Sequence, residues 1–157
     1  MTGEIRLIGG LWKRTKLKVL DKPGLRPTPD RVRETLFNWL GHDLTRWKCF
    51  DTFAGTGALG FEAASRGAAS VLLVEQDAGL ITQLKSLKAQ LTADAVQVQR
   101  GDGIALLKVQ RDLDLVFLDP PFDANLFDPA LKAAAAAIKP TGFVYLEASK
   151  AWTDKVL

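Results

Sequence analysis

One passage constrains the fold of this chain more than any other: Phe50-Asp51-Thr52-Phe53-Ala54-Gly55-Thr56-Gly57-Ala58-Leu59-Gly60. It reads as a short apolar strand that enters a glycine turn and leaves it as an Ala-rich helix. Gly55, Gly57 and Gly60 have the G-x-G-x-x-G spacing of a nucleotide-cofactor loop. Glycine permits a tight turn and lets the backbone come close to a ligand. The same three glycines can equally serve close packing of a helix on a strand, so the spacing by itself leaves both uses open.

The pattern set by this passage repeats to the end of the chain. Strands are expected at Cys49–Phe53, Ser70–Glu75, Ala95–Arg100, Leu113–Leu118 and Gly142–Glu147, and helices at Ala58–Ser65, Ala78–Leu91, Gly103–Lys108 and Asp128–Ile138. Strands alternating with helices imply right-handed crossovers, hence an α/β fold: a mostly parallel, Rossmann-like sheet with helices on both faces. Ligands of such sheets sit beyond the carboxyl ends of the strands. The residues just after each strand are therefore the informative ones.

Residues 1–41 differ in character. Ile5–Ile8 and Lys16–Leu20 alternate apolar with basic residues around Gly9-Gly10, which predicts two short strands presenting Arg6, Lys16 and Lys18 on one face. Three prolines and a glycine in Pro23–Pro29 predict an irregular loop. Asp30–Leu40 then predicts a helix with Val32, Leu36, Phe37 and Leu40 on its apolar stripe and Arg31 off it. Thr28 or Asp30 can cap that helix, Pro29 suits its first turn, and Gly41 ends it.

Length and charge bound the function. At 157 residues the chain is expected to form a single domain, 1–157, with 1–41 a basic strand–loop–helix extension and 49–157 the Rossmann-like core. No uninterrupted apolar run reaches the roughly 18 residues of a membrane span, and the N-terminus does not have the build of a secretory signal. One cysteine, Cys49, and one histidine, His42, speak against an intramolecular disulfide and a Cys/His metal site. A cytoplasmic location without membrane or metal is the resulting expectation. Residues 1–48 hold 11 Lys/Arg against 5 Asp/Glu, a balance of +6, whereas 49–157 carry −3. A basic arm on a slightly acidic body suits a polyanionic partner, and solvated surface charge is the plainer alternative.

At the strand ends, Asp51 enters the glycine loop, whose Phe53, Ala54, Gly55 and Gly57 are the expected cradle. Glu75 follows the second strand, with Gln76 beside it, and a carboxylate there can accept hydrogen bonds from a ribose diol. Asp102 and Gly103 follow the third; Asp102 can bond an adenine amino group or cap a helix. NAD and S-adenosylmethionine both carry adenosine. A pyrophosphate, however, needs an anion-friendly helix N-terminus, and Asp51 would repel it. A carboxylate suits the ammonium and sulfonium end of S-adenosylmethionine. After the fourth strand comes Asp119-Pro120-Pro121-Phe122. Two prolines fix the backbone and donate no amide hydrogen, so the Asp119 carboxylate and the Pro120 carbonyl are presented as acceptors next to an aromatic face. Such a loop suits an exocyclic amino group on a base stacked upon Phe122. Accepting both of its hydrogens helps the nitrogen turn its lone pair toward a methyl group, and the rest of the catalysis is in-line positioning. The proton goes to Asp119 or to water.

Together Asp51-x-Phe53-Ala54-Gly55-x-Gly57-Ala58-Leu59-Gly60, Glu75 and Asp119-Pro120-Pro121-Phe122 resemble a class I methyltransferase acting on an amino nitrogen. The runs Ile8-Gly9-Gly10-x-Trp12, Gly24-Leu25-Arg26-Pro27-Thr28 and Asp30 to Leu40 are more specific. With them the chain resembles, over essentially its whole length, the bacterial 16S ribosomal RNA guanine-N2 methyltransferases of the RsmD type. The resemblance implies a class I methyltransferase fold and transfer of a methyl group from S-adenosylmethionine to the 2-amino group of a guanine in small-subunit rRNA, free or in an assembly particle. A monomer is the separate expectation for the chain itself. The resemblance also implies that the Arg26–Arg33 region faces the cleft, so Arg26, Thr28, Arg31 and Arg33 are the expected RNA contacts. A surface ion pair with Glu34 is the alternative for Arg33. Relatives of this type continue past the fifth strand with a helix and an antiparallel strand pair. Because the sequence stops at Leu157, that pair is expected to be missing and a sheet edge exposed.

Three other readings stay open on the residues alone. An adenine-N6 methyltransferase of DNA or RNA could use the same Asp-Pro-Pro-aromatic loop. An NAD-dependent oxidoreductase is disfavoured by Asp51, and a nucleic-acid-binding module without catalysis would lack turnover.

Overall fold

The computed structural model describes residues 2–20, 29–41, 43–120 and 126–146. A two-stranded antiparallel hairpin, β1 (Thr2–Arg6) and β2 (Lys16–Leu20), comes first and is followed by α1 (Asp30–Leu40). The body then runs β3 (Lys48–Asp51), α2 (Ala58–Ser65), β4 (Ser70–Glu75), α3 (Ala78–Leu91), β5 (Val96–Arg100), α4 (Gly103–Leu107), β6 (Leu113–Leu118), α5 (Phe127–Ala137) and β7 (Ile138–Leu146). These five later strands form one sheet in the order β5-β4-β3-β6-β7, and every neighbouring pair is parallel. The expected α/β, mostly parallel architecture is thus what the chain adopts.

Because the strands are parallel and covered on both faces, their side chains divide by parity into two cores. Cys49, Val71, Leu73, Leu115 and Phe117 join Phe37, Phe61 and Leu84 on the side of α1, α2, α3 and the hairpin. Phe50, Val74, Val116 and Leu118 join Ile104, Leu107 and the alanine face of α5 on the other. Ala130, Ala133, Ala134 and Ala137 are buried there, so α5 lies close against the sheet as a smooth surface. The hairpin obeys the alternation read from the sequence. Ile5, Leu17 and Val19 are buried, while Arg6 opposite Lys16 and Glu4 opposite Lys18 are exposed.

Three local expectations change. The strand expected at Gly142–Glu147 begins at Ile138, directly after α5, and its pairing with β6 jumps from Leu113–Ile138 to Leu115–Phe143. The extra residues bulge, which is how Pro140 and Gly142 fit into a strand that, among the described residues, pairs on one side only. In the second change, β3 stops at Asp51 rather than Phe53, because the glycine turn already bends the chain. Finally, Asp30 does not cap α1: Pro29 is the N-cap, and Asp30 is inside the first turn. Thr28 and the residues after Leu146, on which the expected missing strand pair bears, lie outside the described residues. Among those described, no helix is long and apolar enough to cross a membrane.

Candidate active site

The strand order reverses direction at β3. Chain progression goes outward through β4 to β5 on one side and through β6 to β7 on the other. Such a switch point opens a crevice at the carboxyl ends of the two strands that flank it. β3 ends on Asp51, and Asp119 directly follows β6, its neighbour.

The glycine loop turns between them and divides its work. Gly57 has φ of 82°, and a methyl group on it would come within 2.7 Å of Leu84 and Phe61. A methyl group on Gly60 would lie 2.2 Å from Leu73 Cδ2. Both glycines therefore serve close packing of α2 against β4 and α3. Gly55, at φ 55°, has its amide N–H donated to Glu75 Oε1 at 2.9 Å. Ala54 is held by its N–H to the Val74 carbonyl at 2.9 Å, and Phe53 is half-buried beside it.

Glu75 is locked by main-chain donors. Its Oε2 accepts from the N–H groups of Gln76 and Asp77, each at 2.9 Å. Each carboxylate oxygen offers about two acceptor sites. Oε2 is thereby filled and Oε1 keeps one, so Glu75 presents one acceptor to a ligand rather than the pair expected for a diol. Gln76 is exposed, and its carbonyl accepts from Arg100 Nε at 3.0 Å. Asp102 is the N-cap of α4, with Oδ1 accepting from Ile104 N at 3.0 Å and Ala105 N at 3.2 Å. The capping role left open by the sequence is thus filled by Oδ1. Gly103 has a steric reason: a methyl group there would sit 1.9 Å from the Thr52 carbonyl oxygen. Its bareness lets α4 approach the start of the glycine loop.

Asp51 is the group out of equilibrium with its surroundings. It is buried to 1 % exposure, and its Oδ1 has no hydrogen-bond partner. Burial foremost, then the charge of Asp119 and, more weakly, that of Glu75 push its pKa up to about 8, against a backbone hydrogen bond from Phe53 that pulls the other way. A buried carboxyl with an open acceptor, among further carboxylates, is a place for a cation. An ammonium or sulfonium fits it and a pyrophosphate does not.

On the arm, Arg31 is exposed at the start of α1 and lines a pocket of about 420 Å³ with Val32, Thr35, Leu36, Trp39 and Tyr145. Tyr145 pairs with Phe117, two residues before Asp119, so this pocket adjoins the carboxyl side of the sheet. Arg33 does not join Arg31. Its side chain is fully buried and ion-paired to Glu62 at 3.1 Å and to Asp30. The expected RNA contact, like the alternative surface pair with Glu34, gives way to a buried structural ion, because the Arg33 side of α1 faces α2. Arg26, Thr28, Pro121 and Phe122 lie outside the described residues, whereas Asp119 and Pro120 are half-buried at the mouth.

Sequence reasoning overlooked Glu62, Ser65 and Arg66, the polar side chains on which the arm is mounted. A signal was present: Glu62 is the lone charge within Ala58–Ser65, where a helix covered on all sides has no solvent face for it.

Comparison with known proteins agrees with this geometry. Residues 5–156 match the family model described as "Conserved hypothetical protein 95". The chain is 43% identical over 155 residues to the ribosomal RNA small subunit methyltransferase D of Haemophilus influenzae, covering 94% of this chain and 80% of that protein. It is 46% identical over 131 residues to the Escherichia coli protein of the same name, covering 83% and 66% respectively. A solved Escherichia coli structure, provisionally described as a methyltransferase, superposes with a TM-score of 0.76 at 40% identity over 93% of this chain and 78% of that one. The fold is therefore the Rossmann-like class I methyltransferase fold, and the chain belongs to the Conserved hypothetical protein 95 family, that of the RsmD-type proteins.

Proposed function

We propose that this chain methylates the exocyclic 2-amino group of a guanine in small-subunit ribosomal RNA, using S-adenosylmethionine. The observation that carries the reading is the pairing, at one switch point, of a buried Asp51 whose Oδ1 has no hydrogen-bond partner with the Asp119-Pro120 acceptors after the next strand. The names of the Haemophilus influenzae and Escherichia coli relatives support rRNA of the small subunit as the substrate class.

The residues fit the cofactor at its cationic end. Asp51 would hold the ammonium or sulfonium region, Gly55 and Gly57 shape the turn beside it, and Glu75 Oε1 would accept from the ribose. When bound, the cofactor supplies an electrophilic methyl group. This chain's own part is positioning: Asp119 and the Pro120 carbonyl accept the amino hydrogens, Phe122 stacks on the base, and the nitrogen lone pair is aimed in line. Arg26, Thr28 and Arg31, with the exposed basic face of the hairpin (Arg6, Lys16, Lys18), would take the RNA backbone. A monomer in the cytoplasm is the corresponding setting.

Labelled methyl transfer onto small ribosomal subunits, their assembly intermediates and duplex DNA, followed by nucleoside analysis, tests the proposal. N2-methylguanosine in small-subunit rRNA is the expected product. N6-methyladenine in either nucleic acid would replace it with the adenine reading.

A further inference from the structure

Glu62 lies midway along α2, the helix that starts at the glycine loop, and its carboxylate is fully buried. Four donors from three segments converge on it. Oε1 accepts from the Ile8 N–H at 2.9 Å and from Arg33 Nη1 at 3.1 Å. Oε2 accepts from the Gly9 N–H at 2.9 Å and from Arg66 Nε at 3.0 Å. Arg33 passes the connection on, donating to the Arg6 carbonyl at 2.9 Å and pairing with Asp30, which also meets Arg6 at 3.3 Å.

Neighbouring contacts act in the same joint. Ser65 Oγ accepts from the Trp12 N–H at 2.9 Å and donates to the Gly9 carbonyl at 2.6 Å. Arg66 lies over the Phe37 ring of α1, with Cζ 4.9 Å from its centroid. Gly10 passes so close that a methyl group on it would be 1.9 Å from the Ser65 carbonyl oxygen. The hairpin's connecting loop and α1 are both seated on the last turns of α2.

Buried ions are an expensive way to obtain stability, since desolvation offsets most of their attraction. Their directional bonds do fix a register, because each donor must reach one oxygen. We propose that Glu62 is a positioning residue: it sets the arm that carries Arg31 at a fixed place relative to the glycine loop, so that bound RNA is registered against the methyl donor. This rests on the RNA-methyltransferase reading above. A glutamine at 62 would be nearly the same size. It would turn an N–H toward a ring of N–H donors, loosening the arm while leaving the first turn of α2 in place.

The test compares the full-length protein with Glu62→Gln, Arg33→Lys and a control, Leu113→Ala, a core truncation at the opposite end of β6. Arg33→Lys keeps the charge but has a single head group for three partners. The readouts are S-adenosylhomocysteine affinity by calorimetry, melting temperature, and KM and kcat for methyl transfer to small-subunit particles. Glu62→Gln and Arg33→Lys are expected to keep cofactor affinity within about twofold and to lose at least about tenfold in kcat/KM, mostly through KM, as misplacement of a substrate-orienting element does. Leu113→Ala is expected to melt lower with KM unchanged. Wild-type KM in both joint variants overturns the inference. So does an equal loss of cofactor affinity, or the same KM rise in Leu113→Ala. If Glu62→Gln does not fold, Arg33→Lys decides alone. Absence of transfer by the wild type overturns the functional reading itself, and the inference falls with it.

Discussion

Asp51 ends β3 and Asp119 follows the adjacent strand β6, close enough that the charge of one is felt by the other. Added to burial, that repulsion holds Asp51 protonated up to about pH 8. The site is thus strained toward receiving a positive charge, and its behaviour with pH follows.

A free aspartate titrates near 3.9, so from about pH 4 to 8 the folded protein retains a proton at Asp51 that the unfolded chain has released. The contribution of this group to stability therefore falls as pH rises through that window. Asp51→Asn should flatten this part of the melting-temperature profile and raise stability at pH 8. At pH 7, S-adenosylhomocysteine binding should release a proton, seen as heat that depends on the buffer's ionisation enthalpy. The asparagine variant should release none and bind about tenfold or more weakly.

Asp119→Asn separates binding from chemistry. Its cofactor affinity should be largely preserved, since Asp51 still supplies the carboxyl that meets the cation. Methyl transfer should drop by about 10²-fold or more, the usual scale for losing a positioned acid–base or amine-orienting group. Equal losses in both measurements would place Asp119 in the cofactor site instead.

Gly103 and Gly101 stand two residues apart with opposite expectations. Gly103→Ala drives a methyl group to 1.9 Å from the Thr52 carbonyl, a backbone atom that cannot rotate away. It should destabilise by about 1–3 kcal/mol and disturb the glycine loop, lowering cofactor affinity. Gly101→Ala meets only Leu106 Cδ1 at 3.3 Å and should be nearly neutral in a denaturant melt.

Arg31 and Arg33 make a similar contrast on α1. Arg31→Ala should leave stability within about 0.5 kcal/mol, weaken RNA binding and reduce the slope of log affinity against log salt by about 0.7–0.9. Arg33→Ala removes a buried ion from Glu62 and should destabilise by about 3 kcal/mol. Thermal melts and salt-dependent binding separate the two, and equal stability losses would contradict the burial of Arg33.

Much of this molecule was legible before folding. Alternation of strand and helix determined the parallel sheet, because a continuous apolar run followed by a helical stripe has one way to bury both. The parity of Ile5, Leu17 and Val19 against Arg6, Lys16 and Lys18 determined which face of the hairpin is wet. The glycine spacing and Asp119-Pro120 pointed to the carboxyl ends of β3 and β6 as the candidate site, since these features depend on local backbone geometry. The fate of individual charges was not legible. Arg31 and Arg33 are two residues apart on one helix, and only the packing of α1 on α2 made one a surface cation and the other a buried partner of Glu62, 29 residues away. The raised proton affinity of Asp51 likewise depends on the burial that the folded sheet imposes and, after it, on Asp119, which β6 delivers beside β3. A pattern along the chain fixes which residues share a face; the cost of burying a charge, and the groups that offset it, come from segments far apart in sequence, and so only the tertiary structure decides them.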